Sequence, residues 1–474
     1  MDVNELLRWE NEHEVLRFKF QHDNTLVWPL IRCTVFNKVI ENSAQLQVPH
    51  APGEKLSLWD KFRYLFQTII HQPFSIEKNF DILCFSSTAG ISLKKDDQWF
   101  GRISDYFVLE ENERTLVLDE SYRRKYKFPR APSNVRCHDF IQLNAILRGQ
   151  ILGKMNQQDL MTIKELIDFL KENFKGQLKQ EDYGPIEHIL KVFSMRLAVL
   201  HQSYLRLFAQ VKPRLLMMET ASYGGVNAWI IKWAHDCGIV SCEPQHGCIS
   251  IPYMYSERLI QDQEYQKYLP DHLLLYGRYW AGLVRSPSQK VIIGNPHFDT
   301  KKLEFKKEKE GSRIKKILIV SQGTVTNILV DLTCQLSKLI EGMDYEITYR
   351  LHRGEVPFVE RYQQLKGLSN VQLDQDQDIY RLIDDSDYIV GSYSLTLFEA
   401  LGLGKKIYVL EGNRSSEYIP KDLGLRFKNA MDLFELIKKD QGHQSNDTKE
   451  FWAEHWQENY HQFINSVMGT QGAL

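Results

Sequence analysis

Several hydroxyl side chains lie within residues 391–410, between two short apolar runs. Ser392, Ser394 and Thr396 follow the first run, and Glu399 comes shortly after them, in a helical pattern that two glycines end. The stretch therefore predicts a strand, a turn, a helix and a second strand. Because a helix start offers unpaired N–H groups and partial positive charge, hydroxyl groups there either cap the helix or bind an anion. We predict that this turn binds a phosphate and that Glu399 accepts hydrogen bonds from sugar hydroxyls; simple capping and a surface acid are the alternatives.

Two other strand ends in the same half of the chain carry groups that suit a nucleotide. Ser321, Gln322 and Gly323 end one apolar run, and His352 and Arg353 end the next. Imidazole and guanidinium groups can neutralise a diphosphate, and stabilising such a leaving group is a large part of catalysis. Because the carboxyl ends of parallel strands meet at one edge of a sheet, we expect the three turns to face one crevice.

A histidine in the first half of the chain is a candidate general base. His246 follows an apolar run and stands between Gln245 and Gly247. Its ordinary pKa near neutrality suits the removal of a proton from an attacking hydroxyl, whereas a histidine bonded to backbone is the structural alternative. The other candidate bases are acids at strand ends: Asp119, Glu120 and Glu219. We place Gln245, Gly247 and Glu219 on the acceptor side.

Composition excludes several classes of protein. The 474 residues are 43% hydrophobic and 25% charged, as in folded soluble proteins. A chain of this length is too long for a single hydrophobic core, so two domains are expected. A formal net charge of −2 argues against a nucleic-acid binder. Seven cysteines without a CxxC pair indicate free thiols in a reducing cytosol. The sequence shows neither a signal peptide nor an apolar run of about 18 residues, so we predict a cytoplasmic protein.

No metal site is predicted. The cysteines and histidines between residues 235 and 248 match no zinc spacing, and residues 374–378 contain the letters Asp-x-Asp in a context that favours a solvated turn before a short helix.

Short apolar strands alternate with helical patterns twice along the chain. This alternation predicts an α/β fold of two Rossmann-like domains with parallel sheets that face each other across a cleft. The predicted divisions are an N-terminal acceptor-binding domain with an aromatic-rich extension (1–300), a charged linker (301–316), a C-terminal nucleotide-sugar domain (317–450) and a C-terminal helix (451–474) that returns to the first domain.

Residues 59–74 form an amphipathic pattern, with basic residues on one side and bulky apolar residues on the other. Such a segment can lie on the anionic surface of the inner membrane. A helix packed on its own domain is the favoured interpretation.

Several of these motifs resemble a known enzyme class. Gln245-His246-Gly247, Tyr276-Gly277 and the run 291–296 followed by Asp299 resemble the N-terminal half of bacterial surface-polysaccharide glycosyltransferases of the GT-B fold. The pattern of residues 392–406 resembles the C-terminal half of capsule and teichoic-acid-type transferases, including bacterial sialyltransferases and CDP-glycerol glycerophosphotransferases. The resemblance covers about residues 210–412.

The resemblance implies a metal-independent transferase with no cofactor besides its nucleotide-sugar co-substrate, acting on a saccharide or lipid-linked acceptor. It places His246 at a base-like histidine and His352 at the first position of a His-Pro motif. Arg353 stands where that motif has proline, which weakens the case for a CMP or CDP donor. By the same resemblance Glu399 binds the nucleotide ribose and the three hydroxyl residues before it hold the nucleotide phosphate.

Two other classes stay open. Nucleotide-sugar 2-epimerases share the two-domain fold but need several carboxylates around the sugar, and no such cluster stands near residues 243–250. A non-catalytic binding protein of polysaccharide assembly is the third class.

Overall fold

The computed structural model describes residues 1–43, 56–76, 78–249, 262–305, 314–442 and 448–469. Its strands form two larger sheets and one hairpin. They are β1 Ile82–Ser87, β2 Ile91–Lys95, β3 Gln98–Gly101, β4 Thr115–Glu120, β5 Val135–Cys137, β6 Leu215–Met218, β7 Val240–Pro244, β8 His272–Leu275, β9 Gln289–Ile292, β10 Lys315–Val320, β11 Tyr345–Arg350, β12 Val371–Asp374, β13 Tyr388–Gly391, β14 Lys406–Leu410 and β15 Leu425–Phe427.

Both larger sheets are parallel and doubly wound. The first has the order β5-β4-β1-β6-β7-β8-β9 and the second β12-β11-β10-β13-β14-β15. The chain reverses its direction of winding between β1 and β6 in the first sheet and between β10 and β13 in the second. Ligands of such sheets bind beyond the strand carboxyl ends at these reversal points. The predicted α/β fold with two Rossmann-like domains, the GT-B architecture, is confirmed.

The helices cover the two sheets. They are α1 Val3–Glu12, α2 Trp28–Ser43, α3 Leu58–Ile70, α4 Asp105–Glu110, α5 Asp139–Ala145, α6 Gln157–Asn173, α7 Gln180–Val211, α8 Val226–Asp236, α9 Gln263–Gln266, α10 Arg278–Leu283, α11 Pro296–Glu304, α12 Thr326–Leu339, α13 Gln363–Lys366, α14 Ile379–Asp385, α15 Leu395–Gly402, α16 Asn413–Tyr418, α17 Ala430–Lys438 and α18 Trp456–Gly469. The hydroxyl-rich turn at 392–394 thus joins β13 to α15, as the sequence pattern predicts.

Alternate residues of each central strand pack against opposite helix layers. In β1, Leu83 and Phe85 contact the layer that contains α6, α7 and α8, whereas Cys84 contacts α4 and α18. In β10, Leu318 packs against the helix layer on one face of the sheet and Ile319 against the layer on the other face. Because both faces are covered, these strands are almost continuously apolar, as is usual for parallel sheets.

The N-terminal extension belongs to the first domain's core. Trp28 and neighbouring apolar side chains of α2 pack with α7 and α8. Arg32 forms a buried ion pair with Glu10 of α1, Nε to Oε1 2.5 Å. This pair holds the first two helices together.

The charged linker is shorter than its sequence suggests. Asn295 caps α11 by accepting a hydrogen bond from the Phe298 amide at 3.1 Å. The helix then continues to Glu304, because the basic residues expected in the linker suit the negative C-terminal end of a helix. The second sheet already begins at Lys315, and residues 306–313 of the linker lie outside the described residues.

The C-terminal helix returns to the first domain, as predicted. Helix α18 buries Tyr460, Phe463 and Ile464 against the outer face of the first sheet. Ahead of it, the Ala453 amide donates to the Tyr276 carbonyl at 2.7 Å, so the chain has crossed back by this point.

An aromatic cluster joins the two domains. Trp452 stacks on Phe298 of α11 with ring centroids 4.5 Å apart, and its indole donates to the Phe398 carbonyl of α15 at 3.2 Å. Gly402, the last residue of α15, permits this approach: a Cβ there would lie 2.4 Å from Cζ of Phe298. The cleft is therefore bounded at one side by tightly packed aromatic rings.

Candidate active site

A cavity of about 550 Å³ opens at the carboxyl edge of the second sheet and faces the first domain. This volume is typical of small-molecule sites, which measure about 300–1,000 Å³. The second domain lines it with Val320, Ser321, Arg350, Leu351, His352, Val356, Gln375, Asp376, Gln377, Asp378, Ile379, Tyr380, Ser394 and Thr396, and the first domain with Leu93, Arg102 and His297. The cavity thus lies at the reversal point of the second sheet, between the two domains.

Arg102 is the notable cation of this cavity. It is half-buried between β3 and α4, and within the described ranges its guanidinium has neither a hydrogen bond nor an ion pair. In the first domain, burial and then the charge of Arg102 lower the pKa of His246 to about 4 and that of His297 to about 3. In the second domain, the charge of Arg102 opposes the rise that burial causes in the pKa of Glu399. A guanidinium held in a cleft without a counterion is suited to an anion.

The hydroxyl turn before α15 faces the same cavity. Ser394 caps the helix, because its Oγ accepts a hydrogen bond from the Thr396 amide at 3.3 Å. Both residues line the cavity, while Ser392 is buried just before them. The Leu397 amide donates to the Ser394 carbonyl at 3.1 Å, whereas the Leu395 amide makes no hydrogen bond to the described residues. Capping and anion binding are therefore compatible at this helix start.

Glu399 lies behind the cavity wall. Its buried carboxylate accepts a hydrogen bond from the Tyr380 hydroxyl at 2.6 Å, and Tyr380 itself lines the cavity. Burial raises the pKa of Glu399, and the hydrogen bond and the charge of Arg102 oppose that rise. Direct contact of Glu399 with a sugar therefore stays a prediction that requires Tyr380 to move.

The turn after β10 rests on a buried carboxylate that the sequence analysis did not select. Ser321 donates its hydroxyl to Glu355 Oε1 at 3.1 Å, and Thr326 donates to the same oxygen at 2.7 Å. Glu355 also accepts the His352 amide at 3.0 Å. The signal was available in the sequence, because an acid three residues after His352 is the pattern of a capping box. Glu355 thereby ties the ends of β10 and β11 together.

The other residues predicted to bind the donor are Gln322, Gly323, His352 and Arg353, and the first three form hydrogen bonds in or next to that turn. The Gln322 side chain donates to the Tyr393 carbonyl at 3.4 Å, and the Gly323 carbonyl accepts from Thr326 at 3.1 Å. The exposed His352 ring accepts the Gly354 amide at its Nδ1, 3.2 Å away. The side chain of Arg353 lies outside what the structure describes.

His246 stands in the turn after β7. Its Nε2 is 3.1 Å from the Tyr223 hydroxyl, and its buried Nδ1 has no partner among the described residues. Gln245 holds this turn in place, because its amide donates to the Gly247 carbonyl at 2.8 Å and its Oε1 accepts the Tyr276 amide at 2.9 Å. With a pKa of about 4, His246 is neutral at pH 7 but weakly basic.

Glu219 occupies the reversal point of the first sheet. It follows β6 and accepts the Ser104 hydroxyl at 2.8 Å and, from the end of β1, the Ser87 amide at 3.4 Å. Burial raises its pKa to about 7. The charges of Glu219, Arg102 and Glu399 all act on the pKa of the buried Tyr276, so these three groups lie in the neighbourhood of one ring.

The other two candidate bases differ sharply from Glu219. Asp119 is buried in an ion pair with Arg130 and accepts the Ser86 hydroxyl at 2.6 Å. Asp119 therefore has a structural role in the first domain. Glu120 is exposed at the end of β4.

The acids at 374–378 also have structural partners. Asp374 pairs with Arg350, and Asp378 pairs with Lys301 of the first domain, Nζ to Oδ2 3.0 Å. Among the described residues, no three His, Cys, Asp or Glu side chains gather as metal ligands. None of the helices in those ranges is long and apolar enough to cross a membrane.

No protein family model matches the chain. No curated protein matches it either. Solved structures of similar fold include a UDP-GlcNAc 2-epimerase from Neisseria meningitidis bound to UDP-GlcNAc, at 11% identity and a TM-score of 0.47 over 82% of this chain and 99% of that one. The wall teichoic acid polymerase TagF has 13% identity and a TM-score of 0.40 over 87% and 96%. The catalytic domain of starch synthase IV from Arabidopsis thaliana has 10% identity and a TM-score of 0.41 over 83% and 99%. The two-domain architecture rests on the strand orders of the chain itself.

Proposed function

We propose that the protein is a glycosyltransferase that moves a sugar from a nucleotide-activated donor to a hydroxyl of a surface-polysaccharide or lipid-linked acceptor, in the cytoplasm at the membrane face. The observation that supports this proposal most strongly is the position of the Arg102 guanidinium in the cavity. This guanidinium has no partner in the described structure and lines a cavity whose opposite wall is the start of α15. A diphosphate between them would meet a cation on one side and helix N–H groups on the other.

The reaction assigned to this geometry is displacement at the anomeric carbon. The acceptor oxygen forms a bond to that carbon, the bond to the donor phosphate breaks, and the acceptor proton passes to a base. Negative charge then develops on the leaving phosphate, where Arg102 and the α15 amides stabilise it. The proposal needs no metal ion, so activity should survive EDTA.

We assign the base to Glu219 ahead of His246. A general base works best when its pKa is close to the operating pH. Glu219, with a pKa of about 7, meets that condition, whereas burial and Arg102 lower the pKa of His246 to about 4. His246 then serves to orient the acceptor through its ring and the adjacent Tyr223 hydroxyl.

A 2-epimerase is the second candidate, and the raised pKa of Glu219 favours it. A carboxyl group with a pKa of about 7 can both take and give a proton at a sugar carbon without any acceptor. The two candidates differ in what they need: only the transferase requires a second substrate.

Two measurements test the proposal. The first is thermal shift with UDP-, CMP-, GDP- and CDP-sugars, where at least one donor should raise the Tm of the wild type. The second is incubation of that donor with and without saccharide or lipid-linked acceptors. Nucleotide release and a new glycoside only with acceptor support the transferase. An epimerised nucleotide sugar without acceptor overturns it in favour of the epimerase, and donor binding without any product favours a binding protein.

A further inference from the structure

Helix α3 carries its apolar stripe on the outside of the protein. Seven large apolar side chains of this helix are between 46% and 84% exposed. They are Leu58, Trp59, Phe62, Leu65, Phe66, Ile69 and Ile70. Their spacing places them on one side of the helix, since an α-helix turns by about 100° per residue. A contiguous apolar surface of this kind marks an interaction site.

The opposite side of α3 attaches it to the first domain. Tyr64 and Thr68 are buried, and Tyr64 stacks with Tyr126 at a centroid distance of 6.0 Å. The Gln67 carbonyl accepts the Cys137 thiol at 3.6 Å. The helix therefore packs on its own domain, as favoured from sequence, but through the side opposite to its apolar stripe. This is the reverse of an ordinary surface helix, which buries its apolar side.

Aromatic rings form the centre of the stripe. Trp59 and Phe62 stack at 5.8 Å, and Phe62 and Phe66 stack at 6.0 Å. Large rings exposed in this way are typical of helices that lie in the boundary between lipid headgroups and acyl chains.

Basic residues border the stripe. Lys61 and Arg63 lie on its two sides by helical geometry, and both are exposed. The turn after β4 adds Arg123, Arg124 and Lys125. This turn lies beside α3 because Tyr126, the residue after Lys125, stacks with Tyr64 of that helix at a centroid distance of 6.0 Å.

The arrangement of charge distinguishes between possible occupants of this face. In a symmetric dimer the same surface is used by both copies, so these basic borders would approach each other. An anionic lipid surface instead supplies the complementary charge and an apolar layer.

We propose that α3 docks the protein on an anionic phospholipid surface. The stripe centred on Phe62 inserts at the level of the upper acyl chains, and the basic border contacts the headgroup phosphates. Insertion of this kind, without spanning, is what an amphipathic helix with exposed aromatic residues achieves.

The docking surface adjoins the acceptor side of the candidate active site. Thr88, directly beyond β1, donates its hydroxyl to the Lys125 carbonyl at 3.1 Å, so the basic turn lies at the carboxyl edge of the first sheet. Glu219 stands at the same edge. If the protein is the proposed transferase, a lipid-linked acceptor would reach the cleft from the docked side.

Vesicle flotation of the full-length protein without donor or acceptor tests the docking. The wild type should bind phosphatidylcholine vesicles that contain about a third phosphatidylglycerol, and bind pure phosphatidylcholine about tenfold less. A variant with Trp59→Ser, Phe62→Ser and Phe66→Ser should lose about tenfold or more of its binding to the anionic vesicles. A variant with Lys61→Gln, Arg63→Gln and Arg124→Gln should lose both binding and its salt dependence.

The matched control is Met343→Ser with Met431→Ser, which removes exposed apolar side chains from the second domain. It should bind vesicles like the wild type. Equal binding by the aromatic variant and the wild type overturns the proposal, as does no binding of the wild type. Lipid-independent dimerisation that only the aromatic variant loses also overturns it, in favour of a second copy. Because no sugar is transferred in this assay, its failure leaves the transferase proposal standing.

Discussion

The hydroxyl of Ser104 donates a hydrogen bond to Oε1 of Glu219 over 2.8 Å. Arg102 stands two residues before Ser104, in the short connection between β3 and α4. One connection therefore positions both the carboxylate that we assign as base and the guanidinium that we assign to the leaving phosphate. A displacement of this connection would move both groups together.

The pH dependence of activity should report Glu219. Burial raises the pKa of this carboxyl from 4.5 to about 7, so the fraction ionised, and with it the base, increases as the pH rises through 7. We expect kcat/KM to fall on the acid side with an apparent pKa near 7. If His246 is the base, its pKa of about 4 predicts no such decline above pH 5. A pH profile from 5 to 9 with saturating acceptor distinguishes the two.

Glu219→Gln should lower kcat by about a hundredfold to ten-thousandfold, because the amide cannot take a proton. Its oxygen can still accept the Ser87 amide, and its NH2 group can donate to the Ser104 hydroxyl. The same change should lower activity but increase the free energy of unfolding at alkaline pH. A raised carboxyl pKa contributes stability below pH 4.5 that is lost as the pH rises through 7, so the variant should gain relative stability at pH 8. Urea unfolding at pH 5 and pH 8 measures this.

The matched control for that variant is Glu120→Gln, which changes an exposed acid at the end of β4, two strands away from β6 in the same sheet. It should keep wild-type turnover and stability. Retention of most of the turnover by Glu219→Gln, with loss in His246→Asn, would transfer the role of base to His246.

Arg102→Ala should weaken donor binding by about tenfold to a hundredfold, the range for loss of a charged hydrogen-bonding group. The fold should be unaffected, since Arg102 has no partner in the described structure to leave behind. Isothermal titration with the best nucleotide sugar measures the change. Arg285→Ala, an exposed arginine in the connection from α10 to β9, is the control and should bind normally. Unchanged affinity in Arg102→Ala would remove the main support for the proposed donor site.

Gly402→Ala should destabilise the contact between the domains. A methyl group there would lie 2.4 Å from Phe298 and 3.0 Å from the Trp452 indole nitrogen. Overpacking of this kind costs about 1–3 kcal/mol. Gly282→Ala in α10, where nothing described lies within 4 Å of the new methyl group, should instead stabilise by about 0.4–1 kcal/mol. Thermal unfolding of the two variants compares them directly, and equal Tm values would show that the interface relaxes around the new methyl group.

Local pattern was sufficient to predict most of the architecture. The apolar runs at 81–85 and 317–320 are short and bounded by polar turns, so they predict buried strands whatever their partners, and both overlap observed strands. The alternation of strands and helices predicted parallel sheets with crossover connections, but not the order of the strands. The carboxyl-end turns at 321–323, 352–353 and 392–396 were found for the same reason.

The parts of the site that depend on distant contacts were not predictable. Arg102 follows a small hairpin and belongs to no motif, and only the folded chain shows that it reaches a cavity formed by residues about 220–290 positions later. Asp119 and Glu219 look alike in sequence, as acids at strand ends. Arg130 forms an ion pair with Asp119, whereas burial raises the pKa of Glu219 to about 7.

The return of α18 to the first sheet makes the second domain an insertion. Residues 315–427 hold the whole second sheet in one continuous stretch, whereas the first domain is assembled from residues on both sides of that stretch. Two covalent connections then join the domains, one between α11 and β10 and one between α17 and α18. A chain cut after residue 442 would keep every residue of the second sheet and yet lose Tyr460 and Phe463 from the core of the first domain. Loss of residues 456–469 would thus destabilise a domain whose strands lie between residues 82 and 292.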